Sequence, residues 1–161
     1  MTTRILITGA QGFTGRYLAA LLRQSGYDVV ALQADIRELD VLVNEVKAVN
    51  PTHIVHLAGI SFTLDGKDIN IYKVHLIGSE NLLKACMEIK PRLQKLILVS
   101  TSHVYGFGQG DYPLDEQAPT VPHTHYAISK YAMECIAANY RHELPLIISR
   151  PFNYTGYGQS G

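Results

Sequence analysis

The sequence predicts an α/β protein built as one doubly wound parallel sheet in a single domain. Short β-branched runs alternate with longer segments of helical period along the whole chain. Runs such as Ile5-Leu6-Ile7 and Leu96-Ile97-Leu98-Val99 are apolar on both faces, as a strand must be when helices cover both sides of its sheet. Breakers also fall where each predicted helix has to stop: Gly26, Pro51, Pro91 and Pro145.

Taken in order, Arg4 to Thr8 reads as a strand, Phe13 to Ser25 as a helix and Asp28 to Leu32 as a strand. Glu38 to Val49 reads as a helix and His53 to Leu57 as a strand, which completes βαβαβ. A helix over about Ile69 to Ile89, a strand at Lys95 to Ser100, a helix over about His125 to His142 and a strand at Leu146 to Ser149 follow. Gly106 to Thr124, with three prolines, is the one extended loop and follows a strand's carboxyl end, where such folds place site-forming loops.

At 161 residues and 47% hydrophobic content, one substantial core is expected. Fourteen basic and fourteen acidic residues cancel, so nucleic acid and anionic membrane are not the expected partners, and a small molecule is. Neither a signal-peptide layout nor an apolar run near the roughly 20 residues needed to span a bilayer is found, and a cytoplasmic location is expected. Cys86 and Cys135 match no metal or redox spacing and are expected to be free buried thiols. No metal is expected: His53 and His56, three apart on a strand, face opposite sides of the sheet.

The first strand runs into Thr8-Gly9-Ala10-Gln11-Gly12-Phe13-Thr14-Gly15 and then a helix. Gly9 permits a tight turn, Gly12 allows backbone to approach a pyrophosphate, and Gly15 allows close helix packing. Free amides at the helix start supply donors and partial positive charge for phosphates, so this turn suits a dinucleotide. Tyr126 and Lys130, four apart in a helical segment, share one face, and an ammonium near a phenol favours the phenolate. The hydroxyl-rich Ser100-Thr101-Ser102-His103 at a strand's carboxyl end could polarise a carbonyl or alkoxide while Tyr126 moves a proton and a nicotinamide carries hydride.

Together these segments resemble the extended short-chain dehydrogenases/reductases, the NAD-dependent epimerase/dehydratase family, and within it most closely the GDP-6-deoxy-mannose reductases. The matching stretches are TGAQGFTG at 8 to 15, Asp35-Ile36, HLAG at 56 to 59, STSHVYG at 100 to 106, YAISK at 126 to 130 and RPFNYTGYGQ at 150 to 159. The resemblance implies a Rossmann-like NAD(P)-binding domain over residues 1–161, ending where a substrate-binding lobe begins. It also implies Thr101, Tyr126 and Lys130 as the catalytic set. Gly9, Gly12, Phe13, Thr14, Gly15, Asp35, Ile36, Leu57, Ala58 and Gly59, with Tyr126 and Lys130, would hold the cofactor. Ser102, His103 and Asn153 would face a nucleotide-linked sugar, and a homodimer through the two long helices is implied.

The expected activity is hydride transfer on a nucleotide sugar, as a 4-keto reductase or alternatively a 4-epimerase. A non-catalytic NAD(P)-binding regulatory module is the alternative of another class. Dehydratases of the family carry an acidic pair after the catalytic hydroxyl, where this chain has Ser102 and His103, so dehydration is disfavoured. The second strand ends Ala31-Leu32-Gln33 without the acid that usually bonds the ribose of NAD. Arg16 and Arg37 are candidate partners for the extra phosphate of NADP, and NAD against NADP stays open. His75 stands where the family commonly has Asn, and the family continues well beyond the RPFN segment. The 161-residue chain alone is therefore expected to turn over sugar nucleotides poorly.

Overall fold

The computed structural model describes residues 3–60, 69–106 and 113–159. Five parallel strands lie in the order β2-β1-β3-β4-β5: β1 Arg4–Thr8, β2 Asp28–Ala31, β3 His53–His56, β4 Lys95–Val99 and β5 Leu146–Ser149. The order reverses between β1 and β3, so their carboxyl ends diverge into a crevice, the usual ligand position in an open α/β sheet. Helix α1, Phe13–Gln24, joins β1 to β2, and α2, Leu39–Val49, joins β2 to β3. Helix α3 runs over 70–88, and α4, His125–Ala138, joins β4 to β5.

Side-chain alternation divides the strands between two cores. Leu6, Ile54, Leu96 and Leu98 pack with Leu42 and Val46 of α2, Leu82 and Cys86 of α3, and Met133 of α4. Ile5 and Ile7 point the other way onto Ala19 of α1. Each fully buried leucine contributes roughly 1.5–3 kcal/mol, so the first of these cores holds most of the apolar stabilisation. Register places Val55 beside Ile97 and Ile97 beside Ile147 on the α1 side, where Ile147 is 43% exposed.

Element ends differ from expectation by a residue or two, except in two places. Helix α4 stops at Ala138 and the chain continues through turns rather than running helically to His142; Leu144 N–H bonds back to Tyr140. Helix α3 is not uniform: an α-helical turn at Asn70–Tyr72 widens into a π-helical stretch at Lys73–Gly78 before regular helix resumes at Ser79–Glu88. The stop of α2 is Asn50 in the left-handed conformation, φ 47°, directly before Pro51. Cys86 is buried, with its thiol pushed up to about 12 by desolvation, whereas Cys135 is exposed and corrects the expectation of two buried thiols. His53 and His56 do face opposite sides: His53 is half-buried, and His56 is fully buried among the helices. Among the described residues, no helix is long and apolar enough to cross a membrane.

Candidate active site

A cleft of about 450 Å³ opens at the carboxyl ends of β1, β3 and β4. Of the residues singled out from sequence, it is lined by Gly9, Gly12, Phe13, Thr14, Gly15, Leu57, Gly59, Thr101, Tyr126, Lys130 and Asn153. The glycine turn forms one wall. Gly9 has φ +69°, and a Cβ there would sit 2.7 Å from the Ala58 nitrogen, so both conformation and space exclude a side chain. At Gly12 an added Cβ would meet only the Gly9 carbonyl at 3.3 Å, which leaves its far side free for an approaching ligand. Gly15 packs against the turn itself: a Cβ there would lie 2.3 Å from the Gly9 oxygen and 2.7 Å from Ala10 Cα. Close packing is thus required at Gly15, with the turn as the neighbour where the sheet was expected.

The opposite wall is α4 and the end of β4. Thr124 caps α4 by accepting the Ala127 amide at 3.1 Å, which sets Tyr126 in the first turn and Lys130 one turn on. The pKa of the Tyr126 phenol lies above the ordinary value, because burial penalises the phenolate more than the neighbouring Thr101 hydroxyl favours it. The Lys130 ammonium donates to the Val99 carbonyl at 2.9 Å. Burial pulls Lys130 down to about 8, partly offset by Glu134 one turn further along. Thr101 is the neighbour that favours the phenolate, and Lys130 lines the same cleft.

Behind this wall are two buried neutral histidines. His56 bonds Thr8 Oγ1 at 2.7 Å and Ser79 Oγ at 2.8 Å, and Thr8 Oγ1 accepts the Ala58 amide at 3.0 Å. His75, on the π-helical stretch, accepts the Ile60 amide and bonds Ser129. Desolvation, then the Lys130 charge, holds both imidazoles at about 3. Tyr126 lies between the edges of two imidazoles, with ring centroids 5.7 Å from His75 and 6.1 Å from His103.

The segment after β5 covers the cleft's mouth. Arg150 reaches buried Glu134 through three contacts between 2.6 and 3.2 Å and donates to Tyr105 Oη at 3.0 Å, tying α4 to both site loops. The Asn153 oxygen bonds His103 Nε2 at 3.3 Å. Tyr154 stacks on Phe13 at 6.3 Å and its hydroxyl meets Thr14 Oγ1 at 2.6 Å, so this segment folds back onto the start of α1. Tyr154, Gln159, Ile60 and His75 line the cleft without having been marked as site residues by the sequence reading. For Tyr154 and Gln159 a local signal exists, since both lie within the matched RPFNYTGYGQ.

Several expected residues lie off the cleft's lining. The Ile36 side chain is core, pressed where a Cβ on Gly78 would come within 2.6 Å, and its carbonyl accepts from Asn81. Asp35 is exposed and bonded by the Arg37 guanidinium, which lowers its carboxyl to about 2. Ala58 spends its amide on Thr8, Ser102 is buried at the start of a 3-10 turn, and His103 stands at the rim beside Asn153. Neither arginine weighed for an extra phosphate is free: Arg37 holds Asp35, and Arg16 donates to the Gly158 carbonyl at 3.1 Å. At the end of β2, Glu45 accepts the amides of Gln33 and Ala34 at 2.8 and 2.6 Å.

A glycine turn at the switch point, facing a Thr-Tyr-Lys wall, defines a dinucleotide-type cleft with an acid/base group beside it. Comparison places it further: residues 5–161 match the NAD dependent epimerase/dehydratase family, and the chain belongs to that family. It is 34% identical to the GDP-6-deoxy-D-talose 4-dehydrogenase of Aggregatibacter actinomycetemcomitans, over 98% of this chain and 55% of that protein. It is 29% identical to the GDP-6-deoxy-D-mannose reductase of Pseudomonas aeruginosa, over 99% of this chain and 55% of the relative. The UDP-glucose 4-epimerase of Thermus thermophilus, crystallised with NAD, superposes with a TM-score of 0.84 at 27% identity, over 92% of this chain and 54% of that one. The chain spans about half the length of these relatives.

Proposed function

We propose that this chain is the cofactor-binding and proton-handling part of a nucleotide-sugar oxidoreductase, most plainly a 4-keto reductase. The observation that carries the reading is that Thr101, Tyr126 and Lys130 line the same cleft as the Gly9-Gly12-Gly15 turn. The family's relatives include a GDP-6-deoxy-hexose 4-dehydrogenase and a reductase, which supports the substrate class.

In this reading the amides at the start of α1 bind the diphosphate where Gly12 leaves room, and the bound nicotinamide supplies hydride exchange. Tyr126, kept protonated by burial, donates its proton to the developing alkoxide on the sugar. Thr101 orients that phenol and, through its own hydroxyl, the carbonyl under attack. Lys130, a buried cation, favours negative charge as it forms nearby. His103 and Asn153 at the rim are positioned to meet the sugar nucleotide. Occupied Arg16 and Arg37, with the Glu45 carboxylate at the end of β2, favour NAD over NADP. A homodimer through α3 and α4 fits Ile77 and Ile128, which are 49% and 40% exposed on those helices.

Calorimetric titration with NADH and NADPH tests the reading. Binding of NADH that is lost in Gly12→Val is the expected result; absence of binding to both would overturn it. A 4-epimerase is the second reading, since a 4-epimerase of known structure shares this fold. In a chain carrying the rest of the protein, a reductase releases oxidised cofactor at each turnover, whereas an epimerase retains it.

A further inference from the structure

His75 is completely buried, and both of its ring nitrogens are bonded. Their roles follow without freedom. The Ile60 amide can only donate, so the Nε2 it reaches at 3.0 Å carries the lone pair. A neutral imidazole then has its hydrogen on Nδ1, which donates to Ser129 Oγ at 2.8 Å. Ser129 passes its own hydroxyl hydrogen to the Tyr126 carbonyl at 2.8 Å. One continuous chain of hydrogen bonds therefore runs from the loop after β3, through the π-helical stretch of α3, to the turn of α4 between Tyr126 and Lys130.

This chain controls a tight spot. A Cβ on Gly59 would lie 2.9 Å from His75 Nε2 and 3.4 Å from Lys130 Nζ, so the loop backbone is seated against both groups. Gly59, Tyr126 and Lys130 all line the cleft. A histidine here spans a distance that a shorter side chain would not, and the widened turn at Lys73–Gly78 is where its ring enters.

We propose that His75 is a positioning residue: as the Nδ1–H imidazole it clamps the β3–α3 loop at Ile60 to α4 at Ser129, and so fixes Gly59, Lys130 and Tyr126 relative to one another. The proposal rests on the cofactor reading of the cleft. Protonation would put a second hydrogen on Nε2, facing the Ile60 amide, and release the loop. The groups facing the ring are Lys130 and Tyr126 from α4 and His56 from β3; the lysine's positive charge opposes that protonation.

Three variants test it. His75→Phe keeps a ring but loses both bonds, His75→Gln retains an acceptor near the Nε2 position, and Ser129→Ala removes the α4 end. Hydrogen exchange of the Ile60 amide and titration with NADH and ADP-ribose are the measurements. With both bonds gone, NADH should bind on the order of tenfold more weakly to His75→Phe. Ile60 exchange should accelerate in that variant, ADP-ribose affinity should stay as in the parent, and His75→Gln should recover both slow exchange and NADH affinity. Unchanged exchange and affinity in His75→Phe would overturn the proposal, as would a His75→Gln variant no better than His75→Phe. If His75→Phe fails to fold, His75→Gln against Ser129→Ala decides: the proposal requires tight binding in the first and weakened binding in the second. If the parent chain binds neither ligand, the cofactor reading fails, while Ile60 exchange in the variants still reports the clamp.

Discussion

Around β1, β3 and β4 the carboxyl edge of the sheet is closed by buried polar groups that, the Ser100 hydroxyl aside, find partners within the fold, whereas at the end of β2 the same edge is a short, exposed connection. On the first side, His56, His75, Ser79, Ser129 and Lys130 are each under about a tenth exposed and each is bonded. On the second, Gln33 to Arg37 is held by Glu45 and by an ion pair between side chains over 40% exposed. Low dielectric makes a bond on the first side strong and an unpaired group there expensive, while water weakens both effects on the second. The end at β1, β3 and β4 is thus preorganised by burial, and the β2 end is shaped mainly by chain length.

The contrast gives graded expectations. Glu134→Ala should cost the most, about 4 kcal/mol, because Arg150 is left partly buried with its carboxylate removed; chemical denaturation measures this. Gly15→Ala forces a Cβ into the Gly9 carbonyl and should lower stability by about 3 kcal/mol. Lys130→Met should act in the opposite direction, raising stability at neutral pH by on the order of 2 kcal/mol, since a desolvated ammonium is removed.

The sign of the lysine effect is testable by pH. Folded Lys130 titrates at about 8 against an ordinary 10.5, so between those values the unfolded chain holds more protons and stability rises with pH. Lys130→Met should flatten that rise. For His56 and His75, folded values of about 3 lie below the ordinary 6.5, so their contribution is present above 6.5 and lost as pH falls toward 3. A denaturation midpoint that stayed constant from pH 6.5 to 4 would contradict their buried, neutral state. Asp35→Asn, on the exposed side, should leave the midpoint within experimental error.

Much of this was legible in the chain. Continuous apolar runs located the strands, because a sheet covered on both faces demands them, and the glycine spacing located the cleft, because Gly9 and Gly15 tolerate no side chain there. Tyr126 and Lys130 share a face by helical geometry alone. What sequence could not give were contacts set by tertiary packing. The bond between His75 and Ser129 links residues 54 apart in sequence, and the Tyr154 bond to Thr14 links residues 140 apart. Lys130 is a further case: proximity on a helix says nothing of the Val99 carbonyl that the strand end presents to its ammonium. The Ile36 side chain packs into the core, a placement set by helix α2 and Gly78 rather than by its neighbours in sequence.

In the proposed function the buried side of the cleft holds the nicotinamide end of a dinucleotide. Side-by-side titration of the chain and of Lys130→Met with NADH and with ADP-ribose, which lacks the nicotinamide, tests it most directly. The parent chain should bind NADH more tightly than ADP-ribose, and Lys130→Met should lose that difference with ADP-ribose affinity preserved. Equal affinity for the two ligands in the parent chain would contradict it.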